Sequence, residues 1–120
     1  KMGPDFIQLS GEDGTALEFN LRGGVGCISV TANVAPKLCS EFQEASTAKN
    51  NSNLLAKAKE INDKLMPLHK SLFIESSPSP VKYAASILNL CSEEVRLPLV
   101  KITDETKKAV KFAMTHANLI

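Results

Sequence analysis

The chain has no tryptophan, a single tyrosine and five phenylalanines among 120 residues. So few flat side chains provide no platform on which bases stack, which removes a common means of gripping single-stranded nucleic acid. An excess of charge of one sign is also missing. Fourteen Lys and Arg stand against 13 Asp and Glu, for a net charge of +1. The basic residues are scattered, so neither nucleic acid nor an anionic membrane finds an electrostatic footprint. No apolar run approaches the ~20 residues that span a bilayer, and no secretory leader is visible. Cysteine is scarce: Cys27, Cys39 and Cys91 lie far apart, with no CxxC and no Cys/His cluster at metal spacing. An odd, dispersed set suits a reducing cytoplasm better than a disulfide framework, and three buried structural thiols are expected. GxSxG, HExxH and Walker motifs are absent. The run Gly23-Gly-Val-Gly26 follows a helical pattern and precedes a strand pattern. Phosphate-binding loops have the opposite order, so no nucleotide site is expected.

What is present is enough for one domain or a piece of one, with an apolar fraction of 43%, slightly below the globular norm. Asp5–Ser10 is a short β-prone run ended by Gly11. Thr15–Leu21 suits a short helix, stopped by Gly23 and Gly24. Cys27–Val30 is predicted as a second, buried strand. Residues 11–25 suffice for a right-handed crossover between two parallel strands, so the first thirty residues read as one βαβ unit. Two parallel strands are a poor fold alone, since parallel sheets are normally larger and covered on both faces. The remaining sequence offers no further strand, and the opening Lys1-Met2-Gly3-Pro4 does not read as a natural start. The expectation is therefore that earlier strands precede this chain.

From Pro36 onward the pattern is helical. Pro36 fits a first helical position, with Leu38, Phe42 and Ala45 as the apolar edge. Ser52 or Asn53 is placed to cap the next helix, where Leu54, Ala58, Ile61, Leu65, Leu68 and Leu72 form an amphipathic stripe. Glu60 and Lys64 are placed for an i,i+4 pair. Pro67 inside that pattern should kink the helix, at a cost of roughly 3 kcal/mol. Ser79 is expected to cap a helix beginning at Pro80, with Val81, Ala84, Ala85 and Leu88 buried. Arg96–Val100 reads as an extended linker. Thr103 caps a last helix that buries Val110, Ala113, Met114 and Ala117.

Two segments carry candidate chemistry. Gly11-Glu12-Asp13-Gly14 follows a strand and precedes a helix, the place where barrel enzymes build their sites. A glycine there lets a substrate approach the backbone, and amides at a helix start favour a carboxylate. The same residues also fit a plain turn whose acids complement the helix dipole. Ser29, Thr31 and Asn33 alternate with Ile28, Val30 and Ala32, and would either line a barrel mouth or satisfy backbone at a strand end. His69 and His116 have no Cys, Asp or Glu at ligand spacing, so neither is assigned catalysis or metal binding. His116 is read as a surface residue complementing a helix end.

The segments Leu9-Ser-Gly-Glu-Asp13, Gly23-Gly-Val-Gly-Cys-Ile-Ser-Val-Thr-Ala-Asn-Val-Ala-Pro36, Leu65-Met-Pro-Leu-His69, Phe73-Ile-Glu75, Pro78-Ser-Pro-Val-Lys82 and Arg96-Leu-Pro98 resemble, in order and spacing, the C-terminal portion of the dihydrodipicolinate synthase family. The resemblance covers essentially the whole chain. It implies an α/β fold: residues 1–48 as the last two β/α units of a (β/α)8 TIM barrel, with two parallel strands and their helices, and residues 49–120 as a helical C-terminal domain. By residue count the chain is then mostly helix. The implied activity is that of a lyase of amino-acid biosynthesis. It condenses pyruvate with aspartate-4-semialdehyde through a lysine Schiff base, on the route to diaminopimelate and lysine, without metal or organic cofactor.

The resemblance implies that Gly11 lies beside bound pyruvate. Glu12 and Asp13 match acidic positions, and Ile28 matches the residue whose main-chain carbonyl approaches the catalytic lysine. That lysine would fall about a dozen residues before Lys1, so this chain carries no nucleophile and would be inactive alone. Family members are typically homotetramers, and Glu18, Leu21 and Arg22 match a region of contact between dimers. Ser77 and Ser79 depart from the family pattern, where Asn and an apolar residue are usual, and the Lys49–Ser52 loop is slightly long. Two rival readings are a sibling aldolase of the sialic-acid lyase type, and a non-catalytic helical module kept for assembly.

Overall fold

A computed structural model describes residues 3, 5–48 and 50–120 of the chain. Lys1, Met2, Pro4 and Lys49 lie outside the described residues, and with them the readings of the Lys1–Pro4 opening and of Lys49 in its loop. Among the described residues five α-helices follow one another: α1 (Ala16–Leu21), α2 (Pro36–Thr47), α3 (Ser52–Ser71), α4 (Ser79–Ile87) and α5 (Asp104–His116). Short 3-10 turns, Asp13–Thr15 and Thr31–Asn33, precede α1 and α2.

The two predicted strands are the main correction. Among the described residues there is no regular strand, only an isolated parallel bridge between Ser10 and Cys27. The parallel register itself holds. Val25 N–H donates to the Gln8 carbonyl (3.1 Å), Ser10 N–H to Gly26 (2.8 Å) and Ile28 N–H to Ser10 (2.8 Å). The second segment is not buried either: Ile28 is 73% exposed. An extended segment gains a ladder and a covered face only from neighbours on both sides, and this pair has one partner each. Past Ile28 the chain curls into the Thr31–Asn33 turn, so Ser29, Thr31 and Asn33 do not share a strand face. Thr31 is buried and Asn33 exposed.

The helices come closer to expectation. Pro36 does open α2. Helix α3 is capped by Asn51, one residue before Ser52 and two before Asn53, because the Asn51 carboxamide accepts from both Asn53 and Leu54 N–H at 3.1 Å. It runs unbroken through Pro67 to Ser71. Glu60 and Lys64 do not pair; Lys57 instead reaches across to Glu41 on α2 at 3.5 Å. Helix α4 begins at Ser79, with Pro78 rather than Ser79 in the cap position. Ser79 is buried, and its N–H donates to the Ser76 carbonyl. Thr103 caps α5 as expected, its hydroxyl accepting from Thr106 N–H.

Three helices end alike. After α1, Gly23 takes a left-handed φ of 104°, and the N–H groups of Gly23 and Gly24 return to Asn20 and Phe19. After α4 and α5 the left-handed residue is Asn89 or Asn118, with the same pair of returning bonds. These are Schellman ends, which satisfy the last carbonyls of each helix. Gly24 has a further reason to be glycine: a Cβ there would sit 2.9 Å from the Phe19 carbonyl oxygen and 2.2 Å from its ring.

One apolar core joins these pieces. Ile61, Leu65, Leu68 and Leu72 of the α3 stripe meet Phe42 and Cys39 of α2, Val81 and Ala84 of α4, and Val110, Ala113 and Met114 of α5. Ala16, Val34 and Ala35 from the front of the chain join the same cluster. Helix α3 packs on both α2 and α5, and this packing offsets the donor lost at Pro67.

Candidate functional site

The Ser10–Cys27 bridge brings the carboxyl ends of the two extended segments side by side. Gly11, Glu12 and Asp13 therefore stand next to Ile28–Thr31, as a loop-and-turn pair at one end of the molecule. The loop is built locally: Glu12 N–H donates to Ser10 Oγ (3.1 Å), and the Glu12 carboxylate accepts from Gly14 N–H (3.1 Å). Gly11 is exposed, and a Cβ on it would meet nothing within 4 Å.

Asp13 behaves unlike a solvated dipole-complementing acid. It is buried, and its Oδ2 accepts from the N–H groups of Val30 (3.0 Å) and Thr31 (3.2 Å). The Cys27 thiol donates to its Oδ1 at 3.8 Å. A carboxylate that takes two main-chain amides clamps the far segment to its own loop. Among the described residues no donor reaches the Ile28 carbonyl, whereas the Ile28 amide is tied to Ser10.

What sequence reasoning missed is the pairing of Thr31 with His69. Thr31 is fully buried, and its Oγ1 lies 2.7 Å from His69 Nδ1. Burial holds the His69 ring below the usual histidine pKa, against the opposing pull of Asp13 and Glu12. The signal was in the helical stripe. His69 follows Leu65 by four residues and Leu68 by one, which places its ring on the buried face, where a polar group needs a partner. That partner lies 38 residues away and is a threonine, so a search at ligand spacing could not find it.

The cysteines are only partly as expected. Cys39 is buried and Cys27 half-buried, but Cys91 is exposed, on the irregular segment after α4. Burial, and then the charge of Asp13, pushes the thiols of Cys27 and Cys39 up to about 11. Among the described residues no three His, Cys, Asp or Glu side chains gather to hold a metal, and no helix is long and apolar enough to cross a membrane. Glu18, Leu21 and Arg22 stand apart from this site, on the exposed face of α1. There Arg22 pairs with Glu18 at 3.2 Å, and Leu21 is 48% exposed.

The model of the dihydrodipicolinate synthetase family matches residues 1–117. The chain belongs to this family. It is 63% identical over 120 residues to the 4-hydroxy-tetrahydrodipicolinate synthase of Pelagibacter ubique, covering all of this chain and 41% of that protein. With the enzyme of the same name from Ruegeria pomeroyi it shares 60% over 118 residues, 98% of this chain and 39% of that one. The dihydrodipicolinate synthase structure from Thermotoga maritima superposes with a TM-score of 0.89 at 36% identity, over 97% of this chain and 38% of that structure. The Acinetobacter baumannii enzyme, solved as a complex with pyruvate, superposes at 0.87 with 39% identity, over 96% of this chain and 38% of that structure. The chain thus spans about two fifths of the length of the dihydrodipicolinate synthases it matches.

Proposed function

We propose that this chain is the carboxyl-terminal part of a dihydrodipicolinate synthase, a cytoplasmic lyase that condenses pyruvate with aspartate-4-semialdehyde in diaminopimelate and lysine biosynthesis. On this reading residues 1–48 close a (β/α)8 barrel and residues 49–120 form its helical domain. The nucleophile is a lysine on a barrel strand ahead of Lys1. Its amine adds to the pyruvate ketone and water leaves, giving the Schiff base; the reaction uses no organic cofactor. The observation that carries the proposal is the bridge of Ser10 to Cys27, which sets the open Gly11 loop beside an Ile28 carbonyl with no donor among the described residues.

Each residue then has a distinct part. Gly11 lets pyruvate come against the main chain, since no side chain occupies that space. Ile28 offers its carbonyl oxygen to the lysine as a hydrogen-bond acceptor. Glu12 shapes the loop by capping Gly14, and Asp13 fixes the Ile28 side through the Val30 and Thr31 amides. Exposed Phe6, Ile7, Leu9, Val25 and Ile28 are the surface against which the other barrel strands pack, burying each side chain for roughly 1.5–3 kcal/mol. Glu18, Leu21 and Arg22 form a contact between subunits of a homotetramer.

The test is complementation. Co-expressing this chain with the upstream barrel strands of a close relative should give condensation of pyruvate with aspartate-4-semialdehyde, while each piece alone gives none. A folded, stoichiometric complex with no turnover would overturn the proposal.

A further inference from the structure

The contact between His69 and Thr31 has no part in the function proposed above, and it is costly to keep. The ring lies on the α3 face that otherwise carries Leu65, Leu68 and Leu72, and it is only 7% exposed. Apolar packing there would be met by another leucine, and a buried ring nitrogen is tolerated only with a partner. The ring's hydrogen bond is the short one to Thr31 Oγ1.

Thr31 is in turn held from two sides. Its N–H is clamped by Asp13, from the loop after the first extended segment. Its hydroxyl is held by His69, from the middle of the helical array. Between Ile28 and Thr31 the chain leaves its extended course and has no strand ladder to direct it. What fixes the peptide that carries the Ile28 carbonyl is the bond of Ile28 N–H to Ser10 on one side and, on the other, the anchored Val30–Thr31 amides and the Ser29 hydroxyl, which accepts from Ala32 N–H at 2.9 Å. The direction of the Ile28 carbonyl is therefore set by anchors, and one of them is on α3.

We propose that His69 is a positioning residue: through Thr31 it holds the Ile28–Thr31 main chain so that the Ile28 carbonyl faces the reacting centre. This rests on the pyruvate-lyase reading above and ties the chemistry of the barrel end to the helical array. It makes α3 part of the active-site scaffold rather than only a cover for the barrel.

The test uses the complete enzyme, this chain together with its upstream barrel strands. His69→Leu keeps the apolar fit and loses the bond, while Thr31→Val keeps the shape and loses the hydroxyl. Each should lower kcat about 10- to 100-fold, the scale of an ångström-level misplacement, with little change in KM for pyruvate. The double variant should fall no further than the singles, because both remove one shared contact. His69→Asn, whose carboxamide reaches where Nδ1 sits, should recover most of kcat.

Thermal unfolding run in parallel separates positioning from mere stability. A folded His69→Leu enzyme with wild-type kcat overturns the proposal, whatever its melting temperature. If His69→Leu does not fold, Thr31→Val decides in the same way. A wild-type enzyme that does not turn over pyruvate overturns the function on which this rests. An active wild type with indifferent variants overturns the positioning role alone.

Discussion

The front of the chain and its helical array handle apolar side chains in opposite ways. Between residues 6 and 28, Phe6, Ile7, Leu9, Val25 and Ile28 stand in solvent around one isolated bridge. From α2 to α5, Leu65, Leu68, Leu72, Val110 and Met114 are sealed in a shared core. The cause is where each backbone finds its hydrogen bonds. A helix satisfies its own N–H and C=O groups and needs neighbours only for one face. An extended segment needs neighbours along both edges before it can bury anything. Residues that read equally well as core therefore end in different places.

The largest test of that contrast sets leucine against isoleucine. Leu68→Ala should cost about 2–5 kcal/mol, as for other large-to-small core changes. Ile28→Ala, at a similar loss of volume, should stay within about 0.5 kcal/mol in this chain. Urea unfolding of both variants measures the difference, and similar costs would break the comparison. Next in size is the clamp between the two regions. Asp13→Ala strands the Val30 and Thr31 amides, and an unpaired buried donor costs about 1–3 kcal/mol. The same unfolding curves should show it, together with faster amide exchange at Val30 and Thr31 but not at Leu68.

A smaller effect follows pH. His69 is held below its ordinary value by burial, with Asp13 and Glu12 pulling the other way. The unfolded chain therefore takes up this proton at a higher pH than the folded one. The associated stability is fully present above the ordinary histidine value, and it is lost as pH falls from there through the folded-state value. The midpoint of urea unfolding should drop over that window, and His69→Asn should flatten the drop. A slope unchanged by the substitution would place the titration elsewhere. The mildest probe is alkylation at neutral pH. Exposed Cys91 should label first. Cys27 and Cys39, pushed up to about 11, should label only as the chain opens, since the thiolate is the reactive form. Peptide mass spectrometry reads the order.

Legibility from sequence followed the same division. The α3 stripe, the Pro36 start and the Thr103 cap were readable because periodicity and capping are local. The ends of α4 and α5 were not, because Asn89 and Asn118 take the left-handed position that glycine signals more plainly. The parallel pairing of the two extended segments was readable from the crossover length, but their exposure was not, since an extended pair is buried only by strands packed beside it and the described residues offer none. At the site, Gly11 and Asp13 stood out by position, and Ile28 only through the family resemblance. His69 did not, because its partner is a threonine distant in sequence, and only the three-dimensional arrangement joins them.

The central claim is that this chain brings one wall of a pyruvate site but not the nucleophile. Borohydride reduction of the 120-residue chain with pyruvate, read by intact mass, tests it directly. The expected result is a chain of unmodified mass, with a pyruvyl adduct appearing only when the upstream barrel strands are supplied, and then on a lysine of theirs. A stoichiometric adduct on one lysine of this chain alone would contradict the account.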